Sequence, residues 1–569
     1  MINKASFLLC LGLVIAAPVL PSASGATQST QLDESLLENF SWRSVGPPGA
    51  GGRIIDVDVA GEFPYTIFIA GATGGLWRSV NNGVTFEPLF DHEGTNSIGA
   101  IAIHPTNPDI IWVGTGENNA RNSVSWGDGV YKSTDGGESW TNLGLRDSHH
   151  IGDILVDPTD PETVYVAALG HFWGASEERG VYKTSDGGES WERVLFIDEN
   201  SGVVDLAMDA RDSGTLYAAA YQVQRDGFSG GNPETMYGPG SGIYKTSDGG
   251  RSWKELTRGL PPGEKGRIGL AVSQTDPEIV YAIVQTATSV GAPRDPDIPA
   301  DPDPAPPRTM RDGGVFRSSD RGESFEWVNG INPRPFYYSQ IRVDPSDPDR
   351  VYVLGGSVAV SDDGGENFEN LRMNVHVDHH DLWIDPANPD HLVLGNDGGL
   401  YFSYDRGVTW DFLNQMALGQ FYAIDVDMRD PYYIYGGVQD YMSWAGPSAT
   451  SNSIGITTSD WYKVMTGDGF QVRIDPTDPN IVYAESQGGG LIRHDQRSGQ
   501  NTRIQPQAPN GDDRYRFNWD TPIHISYHDP ATLYMGGNHL FRSRNRGNEW
   551  EAISPDLTTY TRSRPDFRD

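Results

Sequence analysis

Side chains able to do chemistry are concentrated in residues 374–386, which read NVHVDHHDLWIDP. Three histidines and two aspartates fall in the first eight positions. If the segment is an extended strand, alternation places His376, Asp378 and His380 on one side. Two imidazoles and a carboxylate can bind zinc or iron, with Asp397 as a fourth ligand. The alternative is hydrogen bonding to neighbouring strands along a central channel, because H-x-D-x-H lacks the fixed spacing of established metal motifs.

Three aspartates form a second candidate centre. Asp397 (GND) and Asp440 (VQD) occupy equivalent places in consecutive repeats, and Asp468 (TGDG) opens the next repeat. We therefore expect the three carboxylates to converge. A pair about 6.5–9.5 Å apart suits inverting glycoside hydrolysis, in which one carboxyl is the acid and the other activates water. The alternative is that an Asp before Gly caps a tight turn.

Predicted loops on the same side of the fold carry aromatic and polar side chains that could contact a ligand. Aromatic rings offer an apolar face on which a sugar ring can stack. The predicted ligand-binding residues are Glu117, Trp126, Asp128, Trp173, Gln439, Tyr441, Trp444 and Trp519. The function predicted first is binding of a glycan, peptide or protein on this side. The alternative is a glycoside hydrolase that uses the three aspartates, with no cofactor required; a divalent metal would enter only through the histidine cluster.

A repeat positions all of these residues. The string STDGGESW at 133–140 recurs in five close copies and two looser ones, and a signature such as VDPTDPETVYVAA at 156–168 precedes most copies. The close copies start at 184, 246, 318, 361 and 403, and the looser ones at 79 and 543. Each unit reads as four antiparallel strands, A to D, which is a blade of a β-propeller. The sequence therefore predicts an all-β fold of about ten blades with Asp-box turns.

Blade anatomy also predicts where function lies. In an antiparallel blade the B-to-C loops and the D-to-A connections share one face, here called the loop face. The long irregular segments and all candidate residues fall there, and function concentrates on such loops. Residues 40–47, FSWRSVGP, look like a surplus strand D. Either the ring closes without this strand, or the natural chain continues past Asp569 and supplies the missing strands.

The N-terminus is predicted to be a signal peptide. Lys4 precedes an apolar run, Phe7–Val19, and a small-residue cleavage site follows at 24–26. We expect a secreted or periplasmic protein from which this peptide is removed. The predicted organisation is a signal peptide at 1–26, an N-terminal segment at 27–40, propeller repeats at 41–558 and a C-terminal tail at 559–569.

Composition excludes several classes of partner. The chain has 42 basic and 77 acidic residues and a formal charge of −35, so a phosphate backbone would be repelled and nucleic acid is not expected to bind. After the signal peptide no apolar run approaches the 18 or more residues of a membrane span. The one cysteine, Cys10, lies in the signal peptide, which leaves the mature chain without thiols or disulfides.

The repeats also carry a family resemblance. The Asp-boxes and the strings GATGGLWRS, GTGENNARNSVSWGDGVYKSTDGGESW, HVDHHDLWIDP, GNDGG and GGVQD resemble secreted bacterial Asp-box (BNR) repeat proteins of the sortilin N-terminal-domain type. The resemblance covers residues 41–558 and extends to two-propeller xyloglucanase-like glycosyl hydrolases. It implies either one ten-bladed ring or a seven-bladed propeller plus part of a second. It leaves the partner open between a neutral polysaccharide and a peptide or protein. The FRIP-like motif of sialidases is absent, which disfavours that activity.

Overall fold

Strands dominate the computed structural model, which describes residues 43–46, 49, 51–61, 65–121, 124–226, 232–287, 312–413 and 415–558. These residues form ten four-stranded antiparallel sheets, and the strands of each sheet follow in chain order. Each sheet is one predicted blade, so the all-β propeller fold is confirmed. The predicted signal peptide, the 27–40 segment and the C-terminal tail lie outside the described residues.

The first five blades take their strands as follows. Blade 1 has β1 (Ile54–Val59), β2 (Ile67–Gly71), β3 (Gly75–Ser79) and β4 (Glu87–Pro88); blade 2 has β5 (Ile98–Ile103), β6 (Ile111–Thr115), β7 (Val130–Ser133) and β8 (Thr141–Asn142). Blade 3 has β9 (Ile151–Val156), β10 (Val164–Ala168), β11 (Gly180–Thr184) and β12 (Glu192–Leu195); blade 4 has β13 (Ser201–Asp209), β14 (Asp212–Gln222), β15 (Gly242–Thr246) and β16 (Lys254–Leu256). Blade 5 has β17 (Lys265–Val272), β18 (Val280–Thr286), β19 (Gly314–Ser318) and β20 (Glu326–Asn329).

The remaining blades continue the series. Blade 6 has β21 (Gln340–Asp344), β22 (Asp347–Leu354), β23 (Ala359–Ser361) and β24 (Glu369–Asn370); blade 7 has β25 (His379–Ile384), β26 (Leu392–Asn396), β27 (Gly399–Ser403) and β28 (Asp411–Leu413). Blade 8 has β29 (Phe421–Val426), β30 (Tyr433–Val438), β31 (Ser443–Pro447) and β32 (Tyr462–Met465); blade 9 has β33 (Gly469–Ile474), β34 (Ile481–Ser486), β35 (Gly490–Asp495) and β36 (Gln500–Arg503). Blade 10 has β37 (Ile523–Ile525), β38 (Leu533–Gly536), β39 (Leu540–Ser543) and β40 (Glu551–Ala552); single 3-10 turns occupy Arg146–Ser148, Thr458–Asp460 and Gln487–Gly489.

The Asp-box turn is held by its own side chains. Asp135 accepts hydrogen bonds from the Ser139 amide at 2.9 Å and the Ser133 hydroxyl at 2.8 Å. The Gly137 amide donates to the Ser133 hydroxyl at 2.8 Å, with the glycine at a φ of +96°. Trp140 donates its indole N–H to the Leu89 carbonyl of the preceding blade at 2.8 Å. The box therefore closes one turn and ties two blades together, which is a structural role.

Seven blades close a ring. One apolar cluster combines Ile54 and Val57 of blade 1 with Val393 and Leu400 of blade 7. The Val57 amide also donates to Asp381 of blade 7 at 3.0 Å. The same type of bond, from a strand-A amide to a strand-A aspartate of the preceding blade, links blades 1 and 2, 3 and 4, and 4 and 5. Of the two predicted arrangements, the structure therefore has the seven-bladed propeller plus part of a second.

Blades 8, 9 and 10 follow the ring as a series in which blade 9 packs between the other two. Propellers have about 4–8 blades, so these three form part of a second one. Several of their large apolar side chains are exposed, including Ile424 at 66%, Met428 at 88% and Tyr527 at 91%. The surplus strand D predicted at 40–47 is not formed by residues 43–46. Instead, the Val45 carbonyl accepts the Trp461 indole N–H at 2.7 Å.

Among the residues described, no helix has the length and apolar character needed to cross a membrane.

Ring closure can be tested at Gly51, which lies at a φ of +61° where a Cβ would fall 2.1 Å from the Gly398 carbonyl oxygen of blade 7. We expect Gly51→Ala to lower the free energy of unfolding by about 2–4 kcal/mol, through the left-handed backbone and the overpacking. Gly455 has a φ of +83° with no atom within 4 Å of a Cβ, so Gly455→Ala isolates the backbone cost of about 1 kcal/mol. If chemical denaturation gave the two variants equal losses of unfolding free energy, the contact between blades 1 and 7 at Gly51 would be contradicted.

Aspartates lining the central channel predict how stability depends on pH. Burial raises the pKa of Asp58 to about 7 and that of Asp205 to about 6. Burial, with repulsion from Asp381, also raises the pKa of Asp56, and burial, with repulsion from Asp205, raises that of Asp153. The folded state therefore binds more protons than the unfolded state between about pH 4 and 7. We expect the melting temperature to fall as pH rises through this range.

The matched variants are Asp58→Asn and Asp91→Asn, the second at an exposed position. Asparagine keeps an acceptor for the Ile103 amide, 2.8 Å from Asp58, loses the one for the Val59 amide and cannot ionise. Asp58→Asn should flatten the melting profile between pH 5 and 8, whereas Asp91→Asn should not. Parallel profiles for wild type and Asp58→Asn would contradict the assignment.

Candidate functional site

A buried guanidinium organises the loop face where the ring meets blade 8. Arg53 precedes β1 and is 1% exposed. Its Nε donates to Asp397 Oδ1 at 2.9 Å, its Nη1 to Glu117 Oε1 at 2.9 Å and its Nη2 to Asp440 Oδ2 at 3.3 Å. These acids come from blades 7, 2 and 8. The planar fork of an arginine, with five N–H donors, can serve three carboxylates in separate directions.

Asp397 is the most heavily bonded of these acids. Besides Arg53, it accepts the Tyr337 hydroxyl at 2.6 Å and pairs with His380 Nε2 at 2.7 Å. Burial alone would raise the pKa of Asp397, but Arg53, His380 and Arg121 hold it well below its ordinary value. Asp397 is therefore ionised at neutral pH, and its side chain is fully buried.

Asp440 has the opposite character. Its side chain is 15% exposed. Burial, and then repulsion from Asp397, raise its pKa to about 8 against the opposing effect of Arg53 and Arg121. Its backbone has a φ of +59°, which a non-glycine residue rarely adopts. His376 Nε2 lies 3.1 Å from the Asp440 carbonyl oxygen and supports that conformation. Asp440 is thus a partly exposed carboxyl that carries a proton at neutral pH.

Asp468 completes the cluster. Met442 forms a parallel bridge with Asp468, and the Met442 amide donates to the Gly467 carbonyl at 2.9 Å. Asp468 is 7% exposed, and burial raises its pKa. The structure therefore brings Asp397, Asp440 and Asp468 into one sector. Asp397 Oδ2 and Asp440 Oδ2 both lie within hydrogen-bond range of Arg53 Nη2. The separation of these two oxygens is therefore at or below the lower end of the roughly 6.5–9.5 Å predicted for an inverting pair.

A shell of polar side chains holds this cluster. Arg121 Nη1 donates to the Tyr337 hydroxyl at 2.8 Å, and its guanidinium lies 5.1 Å from the Tyr337 ring centroid. Asn119 Nδ2 lies 3.3 Å from His380 Nδ1, and Asn119 Oδ1 accepts from Arg267 at 2.9 Å. Each ring nitrogen of His380 thus has a partner, which fixes the imidazole against Asp397.

Sequence reasoning missed most of this shell. The sequence analysis did not single out Arg121, Asn119 or Tyr337. The available signal was the string GENNAR at 116–121, which follows the apolar strand β6 and in which four of the six residues are polar or charged. In the structure all six residues are buried. A polar run with this burial has to be paired, and here it forms the floor of the site.

The histidine cluster does not assemble as a metal site. His380 pairs with Asp397, His376 lies beside the Val377 and Asp440 carbonyls, and Asp378 accepts the Tyr338 hydroxyl. Alternation does not apply because β25 begins only at His379 and Asp378 has a φ of +66°. In the described part of the chain, one group of three potential ligands converges, and it is Asp147, His149 and His171.

The predicted ligand-binding residues divide by exposure. Trp126, Trp173 and Trp519 are 61%, 46% and 44% exposed. By contrast, Glu117, Gln439 and Trp444 are buried, and Asp128 accepts the Tyr131 hydroxyl at 2.8 Å. Trp444 was predicted on a loop but lies in β31, where it stacks on Tyr441 with centroids 6.2 Å apart. The three exposed tryptophans are therefore the candidate platforms.

Comparison with known proteins agrees with this architecture. The family model described as "Sortilin, neurotensin receptor 3" matches residues 128–285. A xyloglucanase of Paenibacillus sp is 24% identical over 84% of this chain and 55% of its own length. The oligoxyloglucan-reducing end-specific xyloglucanase of Emericella nidulans is 26% identical over 47% of this chain and 35% of its own. The chain thus spans about half, or less, of the length of these curated relatives.

A solved structure shows the same fold. The GH74 xyloglucanase from Xanthomonas campestris has a TM-score of 0.52 at 16% identity, covering 91% of this chain and 82% of that one. The protein is a BNR-type propeller related to xyloglucanase-like hydrolases. The family resemblance predicted from the repeats is confirmed to that extent.

The role of Arg53 in this propeller can be measured through stability. Removing the guanidinium leaves Asp397 and Glu117 buried without their cation, so we expect Arg53→Met to cost about 3–5 kcal/mol of unfolding free energy. Arg497 pairs with Asp495 at 3.0 Å on the surface, and Arg497→Met should cost less than about 1 kcal/mol. Urea denaturation of both variants compares them. Similar losses would mean that the buried network does not depend on Arg53.

Proposed function

We propose that the protein is a glycoside hydrolase that acts outside the cytoplasm on a neutral polysaccharide of the xyloglucan type. The observation that carries the proposal is the contrast between two adjacent carboxyls. Asp397 has a pKa well below its ordinary value, and Asp440 has one of about 8. Environments that push the pKa values of neighbouring carboxyls apart are typical of acid–base catalytic sites.

Asp440 is assigned as the general acid. It is protonated at neutral pH and partly exposed, so it can donate its proton to the glycosidic oxygen as the bond to the anomeric carbon breaks. Asp468 is assigned as the base that accepts a proton from the attacking water, whose oxygen bonds to the anomeric carbon. An acid and a base with these two roles are those of an inverting enzyme. Asp397 is too deeply buried to reach a polysaccharide, and we assign it a positioning role through the field it exerts on Asp440.

The substrate class is supported by charge, by surface chemistry and by the relatives. A formal charge of −35 disfavours polyanionic glycans and leaves neutral ones. Trp126 and Trp173 on the ring and Trp519 on the second set of blades offer exposed rings for sugar stacking. The curated relatives are xyloglucanases.

A second candidate function is binding without turnover, of a glycan or of a peptide or protein. The observation in its favour is the burial of Asp397 and Glu117 in the Arg53 network, which gives those acids a structural role. The three exposed tryptophans would then be the working part of the loop face.

Activity of Asp440→Asn separates the two functions. We expect reducing-end release from xyloglucan to fall by about 10²- to 10⁴-fold, the usual contribution of general acid catalysis, with the dissociation constant for xyloglucan unchanged. In the wild type, kcat should decline as pH rises through about 8, because the acid must be protonated, and Asp440→Asn should lack this decline. Asp91→Asn is the matched control and should keep full activity.

Trp126→Ala provides the complementary variant. It should weaken xyloglucan binding under either function, because it removes an exposed platform without touching the carboxyls. Binding by the wild type without release of reducing ends would favour the binding function. Full activity in Asp440→Asn would remove Asp440 from the mechanism.

A further inference from the structure

A second cluster on the loop face is not used by the proposed hydrolase. Asp147 Oδ1 lies 3.5 Å from His149 Nε2 and 3.3 Å from His171 Nε2. One ligand atom from each of the three residues lies within 4.8 Å of the others. We propose that Asp147, His149 and His171 form a binding site for a first-row transition-metal dication such as Zn²⁺.

The spacing fits metal coordination. Zinc binds histidine nitrogen and carboxylate oxygen at about 2.0–2.2 Å in a tetrahedron, which places neighbouring ligand atoms about 3.3–3.5 Å apart. The two distances from Asp147 Oδ1 have this length. Two imidazoles and one carboxylate select a transition metal over Ca²⁺ or Mg²⁺, which prefer all-oxygen sites.

The chain builds the cluster with a strained turn. The 3-10 turn Arg146–Ser148 ends at His149, which has a φ of +58° and a ψ of −42°. Ser148 and His150 point inward and are buried, and His150 Nδ1 lies 2.8 Å from the Glu117 carbonyl. Asp147 and His149 are turned outward instead. Non-glycine residues held in strained backbone conformations cluster at active sites and ligand clamps.

His171 approaches from the loop after β10 in blade 3. Its ring stacks on that of His149 with centroids 3.7 Å apart and planes 20° apart. The χ2 torsion of histidine is broad, so either ring can turn to direct its Nε2 lone pair at a common ion. Trp126 covers the other side of His149, with centroids 5.8 Å apart. The stack therefore holds two imidazoles side by side.

Electrostatics favour a cation here. The Asp147 carboxylate supplies negative charge, and a neutral imidazole supplies a lone pair at its unprotonated ring nitrogen. The Asp147 side chain is 73% exposed, which leaves an ion a path from solvent. Three protein ligands leave the fourth position to water, as in open zinc sites.

A purely structural role is the competing explanation, because His171 Nε2 lies 3.0 Å from the Asp147 carbonyl oxygen and could donate to it. Titration of the metal-free protein with ZnCl₂ in a calorimeter distinguishes the two roles. We expect one equivalent to bind, and Co²⁺ in its place to give the visible absorption of a tetrahedral site.

The variants are His171→Ala and His149→Asn; asparagine tolerates the left-handed backbone, so the turn is kept. Each should weaken Zn²⁺ binding by at least about 100-fold, more than the roughly 10- to 100-fold loss that changes outside the ligand set cause. His92→Ala, at an exposed position, is the matched control and should bind as the wild type does. Thermal melts without metal check that each variant folds.

Failure of the wild type to bind Zn²⁺, or equal binding by His171→Ala and the wild type, would overturn the proposal. Neither result bears on the hydrolase, because Asp440 and Asp468 are not part of this cluster. A zinc-dependent rise in melting temperature that His171→Ala abolishes would support the site independently of activity.

Discussion

The buried guanidinium of Arg53 is the interaction on which the site depends. Bringing carboxylates into an interior costs several kcal/mol per ion unless a cation and hydrogen bonds compensate. Arg53 meets that requirement for Asp397 and Glu117 within the ring, and it reaches outside the ring to Asp440 of blade 8. Closing the ring and attaching the second set of blades therefore converge on one side chain.

That shared cation also accounts for the unequal protonation of the two aspartates. Asp397 adds Tyr337 and His380 to its bond with Arg53, so its charge is stabilised from three directions. Asp440 has the longer contact with the same guanidinium and lies next to a carboxylate that is already ionised. Arg53, even with Arg121 nearby, does not hold both acids ionised at neutral pH, and the better-bonded acid keeps its charge.

The repeats made the blades and the meeting of two of the aspartates predictable from the sequence. Equivalent places in consecutive blades indicated that Asp397 and Asp440 would meet, because a repeated unit puts matching residues at matching positions. The sequence could not predict which blade closes the ring, because blades 1 to 10 share the same apolar strands. Only packing selects blade 7 as the partner of blade 1. The alternation predicted for His376, Asp378 and His380 was wrong because a period of two assumes a strand, and the turn at Asp378 interrupts it. Trp444 shows the converse case, since no Asp-box copy marks blade 8 and strand β31 was predicted as a loop.

The position of Asp440 gives blades 8 to 10 a role beyond extending the scaffold. Within the ring, Arg53 would have two buried acids and no exposed carboxyl, a stable arrangement with nothing to offer a substrate. Blade 8 contributes Asp440, the one partly exposed acid of the Arg53 cluster, and blade 9 starts immediately after Asp468. Gln420 of blade 8 also donates to Thr73 of blade 1 at 2.6 Å, which fixes the junction beside the cluster. The proposed acid–base chemistry therefore requires both sets of blades, because neither set holds the cation and the exposed carboxyl together.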